Sequence, residues 1–194
     1  NKIEVITLVP IMLRRLLEQK TKLSSLKCII SGGAKLDVDL ITSTHDQIGE
    51  VIYNLYGTTE AGFCVLATPK LLKQHANCIG KPILGVNIKL MNQQNGIGEL
   101  YIKSAWTMAN KSTNWIHTGD LAYQNNKGVL FLLGRSDDMI VSGGENVYFI
   151  DLENVLLQHD SISEVAVIGV NDQNYGKRLK VYVVMKKNYS FNKE

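Results

Sequence analysis

Short β-branched runs alternate along the chain with stretches whose apolar residues recur at helical spacing. Ile3 to Val9 predicts a strand. Pro10 suits the first turn of a helix, where its missing N–H costs nothing. Leu13, Leu16 and Leu17 share one face of that helix, which the pattern carries to Lys20. Leu26 to Ile30 predicts a second, buried strand, running into Ser31-Gly32-Gly33-Ala34. A helix follows over Val38 to Gln47, then a third strand over Val51 to Leu55. Strand, helix, strand, helix, strand at this spacing predicts a parallel sheet, because parallel neighbours need a long crossover.

The texture changes after Gly62. Val86 to Met91, Gly98 to Lys103, Leu121 to Gln124 and Val129 to Leu133 predict strands, with turn signals at Asn95-Gly96 and Asn126-Lys127-Gly128. A third texture begins at Asp137. Met139 to Val141 predicts a short strand, Ser142 to Asn146 a tight loop, and Tyr148 to Gln158 a helix with Leu152, Val155 and Leu156 on one side. Ser163 to Val170 and Leu179 to Met185 predict apolar strands, and Lys186 to Glu194 a frayed polar end. The fold class is α/β and β. A parallel α/β layered part covers residues 1–62, a small antiparallel β-barrel-like subdomain 63–136, and an α+β part 137–194.

Composition narrows the classes. At 45% hydrophobic and 20% charged, the chain has enough apolar surface to fold rather than stay disordered. The net charge is only +3, and the 21 Lys and Arg are scattered, which argues against a nucleic-acid surface. No apolar run approaches ~18 residues, so no membrane span is expected. Three cysteines with no CxxC predict reduced thiols and a cytoplasmic setting. Cys28, inside the apolar run from Leu26 to Ile30, reads as a buried small hydrophobe. The start, Asn1-Lys2-Ile3-Glu4, carries neither Met nor a signal peptide, and a piece of a longer protein is expected.

Four polar clusters sit at ends of predicted strands, where open α/β sheets bind ligands. In Ser31-Gly32-Gly33-Ala34, paired glycines allow close approach to the backbone, or make a plain turn. Tyr56-Gly57-Thr58-Thr59-Glu60 puts two hydroxyls beside a carboxylate, the donor set of a phosphate–Mg²⁺ site, with a tyrosine able to stack on a flat ring. A turn with a helix cap explains the same residues. In His117-Thr118-Gly119-Asp120, the aspartate suits a diol or a turn cap. Gly134-Arg135-Ser136-Asp137-Asp138 offers the donor fork of Arg135 and a texture break fit for a hinge, or a solvated loop with a local ion pair.

Taken in order, SGGA at 31–34, YGTTE at 56–60, TGD at 118–120 and GRSDDMIVSGGENVY at 134–148 resemble the AMP-forming adenylating enzymes. That family contains acyl-CoA synthetases, aryl-acid CoA ligases, firefly-type luciferases and peptide-synthetase adenylation domains. SEVAVIGVNDQNYGKRLKVYVV at 163–184 extends the likeness over essentially the whole chain. DDMIVSGGENVY is most similar to CoA ligases of aryl, o-succinylbenzoate or fatty acids.

The resemblance implies activation of a carboxylic acid with ATP, giving an acyl-adenylate and pyrophosphate, then transfer to the thiol of coenzyme A. It implies ATP, Mg²⁺ and coenzyme A as cofactors, no nucleic-acid partner, and is compatible with a homodimer. Thr59 would bind the α-phosphate and Glu60 the metal, as the catalytic pair. Tyr56 would pack on adenine, beside Gly57 and Thr58. Gly32, Gly33 and Ala34 would line the adenine and acyl pocket, Asp120 and Arg135 would hold the ribose, and Asp137 would be the hinge between a large and a small domain. Gly143 and Gly144 would approach the pantetheine channel. The family's phosphate loop with its lysine, and its C-terminal catalytic lysine, are absent from the sequence, so the chain alone is expected to be inactive. The chain also departs from the family at Phe149-Ile150-Asp151, where Pro-x-Glu is usual, and runs short between Lys103 and Trp115. Loading of a carrier protein is a closely allied reading, since the pantetheine thiol is the same. A non-catalytic nucleotide-binding remnant and a luciferase-like oxygenase are the others.

Overall fold

A computed structural model describes residues 2–19, 23–107, 115–136, 138–142, 145–172 and 176–189. The chain divides into two units, one formed by Asn1–Thr118 with Ala122–Leu132, the other by Gly119–Leu121 with Leu133–Glu194.

The first unit opens with β1 (Val5–Leu8), α1 (Pro10–Glu18), β2 (Cys28–Gly32), α2 (Val38–Gln47) and β3 (Ile52–Thr58). The strands pair in parallel, Leu8 opposite Ser31 and Ser31 opposite Asn54. Pro10 takes the first position of α1, as its fixed φ favours. Leu13 and Leu17 are buried beneath that helix, Leu40 and Ile41 beneath α2, and all four pack with Ile29 and Ile52. Each such side chain contributes about 1.5–3 kcal/mol relative to exposure. The helix ends at Glu18, with Gln19 as its cap, two residues before the expected Lys20.

Cys28 corrects an expectation. It is half-buried, whereas Cys64 and Cys78 are the buried thiols. Strand residues alternate between faces. Ile29 and Ser31 take the inward positions, so Cys28 points the other way.

The sheet continues past the parallel part. β4 (Gly62–Ala67) returns antiparallel to β3, and β5 (Lys81–Pro82) borders it, giving the order β1-β2-β3-β4-β5. Between them lies α3 (Pro69–Gln74), whose cap Thr68 accepts a hydrogen bond from the Leu71 amide at 3.3 Å. The second sheet comprises β6 (Val86–Gln94), β7 (Ile97–Ser104), β8 (Ile116–Gln124) and β9 (Leu130–Arg135), in sequence order. Among the described residues it is an open antiparallel sheet rather than a closed barrel. The Asn95-Gly96 turn joins β6 to β7 with φ of 52° and 83°, the left-handed pair a tight hairpin needs. A second core gathers Cys64 and Val65 from β4 with Leu100, Ile102, Ile116, Ala122 and Leu130.

In the second unit, β10 (Met139–Ser142) pairs antiparallel with β11 (Glu145–Tyr148), and β12 (Ile162–Asp172) with β13 (Gly176–Met185). α4 (Phe149–Leu157) packs through Phe149 and Leu152 on a small core of Ile140, Val165, Val167 and Leu179. Val155, expected on the buried side, is 62% exposed. With Phe149 and Leu152 facing in, the next inward positions at helical spacing are 153 and 156, and 155 falls off that face. Glu153 Oε1 accepts the Val167 amide at 2.9 Å, fixing the helix to β12. No helix among the described residues is long and apolar enough to cross a membrane.

Candidate functional site

Two of the expected clusters leave neighbouring strands at the same end. β2 and β3 are parallel partners, with Gly32 opposite Leu55. Ser31-Gly32-Gly33-Ala34 and Tyr56-Gly57-Thr58-Thr59-Glu60 therefore both emerge at the C-terminal edge of the parallel strands, where α/β sheets bind ligands. Gly32 is needed there, because a Cβ would lie 2.7 Å from the Leu55 carbonyl oxygen. Gly33 has a φ of +81°, which turns the chain out of the sheet. Ser31 is fully buried, and its hydroxyl has no hydrogen-bond partner among the described residues.

The second cluster is the tip of a hairpin, and no helix follows it. Thr58 pairs with Gly62, leaving Thr59, Glu60 and Ala61 as a three-residue loop, closed by Gly62 at φ +70°. Thr58 Oγ1 accepts the Ala61 amide at 3.1 Å. Ala61 is buried, while Thr59 and Glu60 are exposed. The strands cross tightly at Gly57, where a Cβ would stand 2.2 Å from the Gly62 carbonyl oxygen. Tyr56 is half-buried and packs against the second core. Beneath the tip, the Cys64 thiol lies 3.4 Å from the Ala61 carbonyl and 3.2 Å from that of Gly62. Burial pushes this thiol up to about 11. A thiol so protonated is a structural group rather than a nucleophile.

The other clusters meet in the second unit. Arg135 Nη1 approaches Asp120 Oδ1 to 3.7 Å, with Asp120 largely buried and Arg135 half-exposed. Gly119, at φ +77°, lets the guanidinium lie over the backbone, since a Cβ would be 2.5 Å from Arg135 Nη2. Ser136 ties the two strands through its amide and hydroxyl, both donating to the Gly119 carbonyl at 2.8 and 3.2 Å. A cavity of about 130 Å³ opens beside Arg135, walled by Leu133, Asp138, Tyr148, Phe149 and Glu153. That is below the ~300–1,000 Å³ of a small-molecule site. His117 is taken up elsewhere, stacked on Tyr101 with ring centres 4.7 Å apart. Asp137, Gly143 and Gly144 lie outside the described residues.

The residues present suit a nucleotide with a metal. Glu60 and the hydroxyls of Thr58 and Thr59 are hard oxygen donors at the end of β3, and the glycine pair ends the neighbouring strand. Among the described residues no three metal-ligating side chains converge. Mg²⁺ held on phosphates needs only one or two carboxylates.

Comparison with known proteins gives the family. The model for AMP-binding enzymes matches residues 1–110, and that for the AMP-binding enzyme C-terminal domain matches 151–194. The chain belongs to the AMP-binding enzyme family. The 2-succinylbenzoate–CoA ligase of Bacillus subtilis is 31% identical over 205 residues, 96% of this chain and 42% of the ligase. The o-succinylbenzoate CoA synthetase of Bacillus subtilis, solved with its acyl-adenylate intermediate, superposes with a TM-score of 0.84 at 31% identity, over 97% of this chain and 43% of that one. A structure of that synthetase with ATP and magnesium ion gives 0.82. The amide bond synthetase McbA of Marinactinospora thermotolerans gives 0.85 at 26% identity, over 97% and 43%. This member of the AMP-binding enzymes thus spans about two fifths of the length of the relatives it matches.

Sequence reasoning missed the residues that hold the hairpin tip from outside, Ser104 and Trp106. Their partners lie 43 positions away in sequence, beyond any local pattern.

Proposed function

We propose that the whole protein is an ATP-dependent acid–CoA ligase, and that this chain supplies its nucleotide-facing hairpin and part of its small domain. The observation that carries the reading is the emergence of the glycine pair and the Thr59–Glu60 tip from adjacent parallel strands, in a chain of the AMP-binding family. The carboxylate of the acid attacks the α-phosphorus of ATP, the bond to the β-phosphate oxygen breaks, and pyrophosphate leaves. The coenzyme A thiolate then displaces AMP from the acyl carbon, forming the thioester.

In this reading Gly32, Gly33 and Ala34 bring backbone against the adenine and the acyl group, with the half-buried Tyr56 packing on the base beside Gly57 and Thr58. Thr59 donates its hydroxyl to the α-phosphate, and Glu60 holds Mg²⁺. The metal, when bound, offsets the charge building on the leaving group. Asp120 and Arg135 hold the ribose hydroxyls. By the family resemblance Asp137 would serve as the hinge between half-reactions, and Gly143 and Gly144 would belong to the pantetheine side; all three lie outside the described residues. A cytoplasmic setting fits three free thiols. The activity is proposed for the whole protein; the 194-residue chain spans 42% of the length of its ligase relative.

The acceptor has a second reading, since one structural neighbour is a CoA synthetase and another an amide bond synthetase. The test is pyrophosphate release by the whole protein over a panel of aryl and aliphatic acids, with coenzyme A, a pantetheinylated carrier protein or an amine added. Acid-dependent release with thioester formed on coenzyme A is expected. Product on the carrier or the amine alone would replace the acceptor, and release with no acid would overturn the reading. Robust acid-dependent exchange by the 194-residue chain alone would show that it is complete in itself.

A further inference from the structure

The tip that presents Thr59 and Glu60 is gripped from a distant strand. The hydroxyl of Ser104, at the end of β7, donates to the Ala61 carbonyl at 2.9 Å. Ser104 is itself buried, and the single hydroxyl proton of Thr107 is shared between Ser104 Oγ at 2.9 Å and the Ser104 carbonyl at 3.0 Å. Two residues on, the Trp106 indole N–H donates to the Phe63 carbonyl at 3.1 Å. The indole lies between two glycines held at positive φ, Gly62 and Gly85. A Cβ at Gly62 would meet Trp106 Cδ1 at 2.7 Å, and one at Gly85 would meet Cζ3 at 3.2 Å. Both carbonyls flank Gly62, one ending the loop and the other on the second residue of the return strand.

Trp106 is 46% exposed and lies outside the buried core clusters. Its ring covers backbone at a hairpin tip, an unusual place for the largest side chain. A three-residue tip closed only by Thr58 Oγ1 would fray, because exposed turns open at little cost. Two further bonds and a ring wedged over Gly62 remove that freedom.

We infer that Ser104 and Trp106 are positioning residues, which clamp the Thr59–Ala61 turn so that Thr59 and Glu60 meet the nucleotide and its metal in one fixed geometry. The inference rests on the roles given to those two residues above. The clamp matters to the adenylation half-reaction and leaves thioester formation alone, because only the former uses the metal and the pyrophosphate leaving group.

The test compares Trp106→Ala, Trp106→Phe and Ser104→Ala in the whole protein. Amide exchange at residues 61–63, the kcat and KM of acyl-adenylate formation, the rate of thioester formation from supplied acyl-adenylate, and Tm are measured. Trp106→Ala should speed exchange and lower adenylation kcat about a hundredfold, as misplacement of a catalytic group by ~1 Å does. Its apparent Mg²⁺ requirement should rise, while KM for the acid and the thioester rate stay near wild type. Trp106→Phe keeps the ring and loses the N–H, and Ser104→Ala loses one bond, so each should fall about tenfold. Equal loss in both half-reactions, in proportion to Tm, would reduce the clamp to a stability element and overturn the inference. Unchanged kcat with faster exchange would overturn it as well. Should Trp106→Ala fail to fold, the other two variants decide. Wild-type adenylation that survives Glu60→Ala would instead refute the roles given to the tip, and the exchange rates would still report whether the clamp holds it.

Discussion

Thr59 and Glu60 are exposed while the next residue, Ala61, is fully buried, so the chain inverts its burial within one step. The frame beneath them is apolar enough to change the chemistry of a thiol. Cys64 sits at about 11, against 9.0 for an ordinary cysteine, because burial disfavours its thiolate. The fold therefore binds this proton more tightly than the unfolded chain does. The stability linked to it is fully present below pH 9.0 and is lost as pH rises through about 11. Denaturant midpoints measured from pH 8 to 11 should fall more for wild type than for Cys64→Ala; parallel curves would show that the thiol is not buried as described. The same scale shows what the sequence leaves hidden. Glu60, Asp120 and Arg135 are recognisable from their neighbours in the chain, whereas Ser104 and Trp106 act only through carbonyls that folding brings to them.

At the scale of elements, the β3–β4 hairpin is the part that turns a motif into a geometry. Its crossing leaves no room at Gly57, where the obstructing atom is backbone and cannot swing aside. Gly57→Ala should destabilise the first unit by about 1–3 kcal/mol, the ordinary cost of overpacking. Chemical denaturation checks this, and a loss below about 0.5 kcal/mol, within the usual range of surface substitutions, would contradict the close approach. The parallel part was legible because β1, α1, β2, α2 and β3 differ in hydrophobic period, and Val38–Gln47 is found where the pattern put it. β4 was not, since Gly62–Ala67 is an apolar run without alternation, burying residues on both faces. α3 was signalled by Thr68-Pro69, a cap followed by a helix-starting proline, yet six residues are too few to show a period. Val155 went astray for a related reason, because a helix of nine residues leaves its buried face poorly fixed by spacing alone.

For the whole molecule, the family match and the order of the four motifs agree along the chain, which covers about two fifths of its ligase relative. The identity of the acid was never legible here. Acyl specificity comes from the shape of a pocket, and the residues with a recognisable pattern are those proposed to handle phosphate, metal and ribose, whose chemistry is common to every acid. The proposed adenylation chemistry therefore depends on the tip and its carboxylate. The most direct measurement is acid-dependent ATP–pyrophosphate exchange by the whole protein carrying Glu60→Ala, at saturating Mg²⁺. Loss of a preorganised charge-stabilising group predicts a fall of about a hundredfold or more. Exchange within a few-fold of wild type would contradict the assignment of the metal to Glu60, and with it the reading of the hairpin tip as the adenylation site.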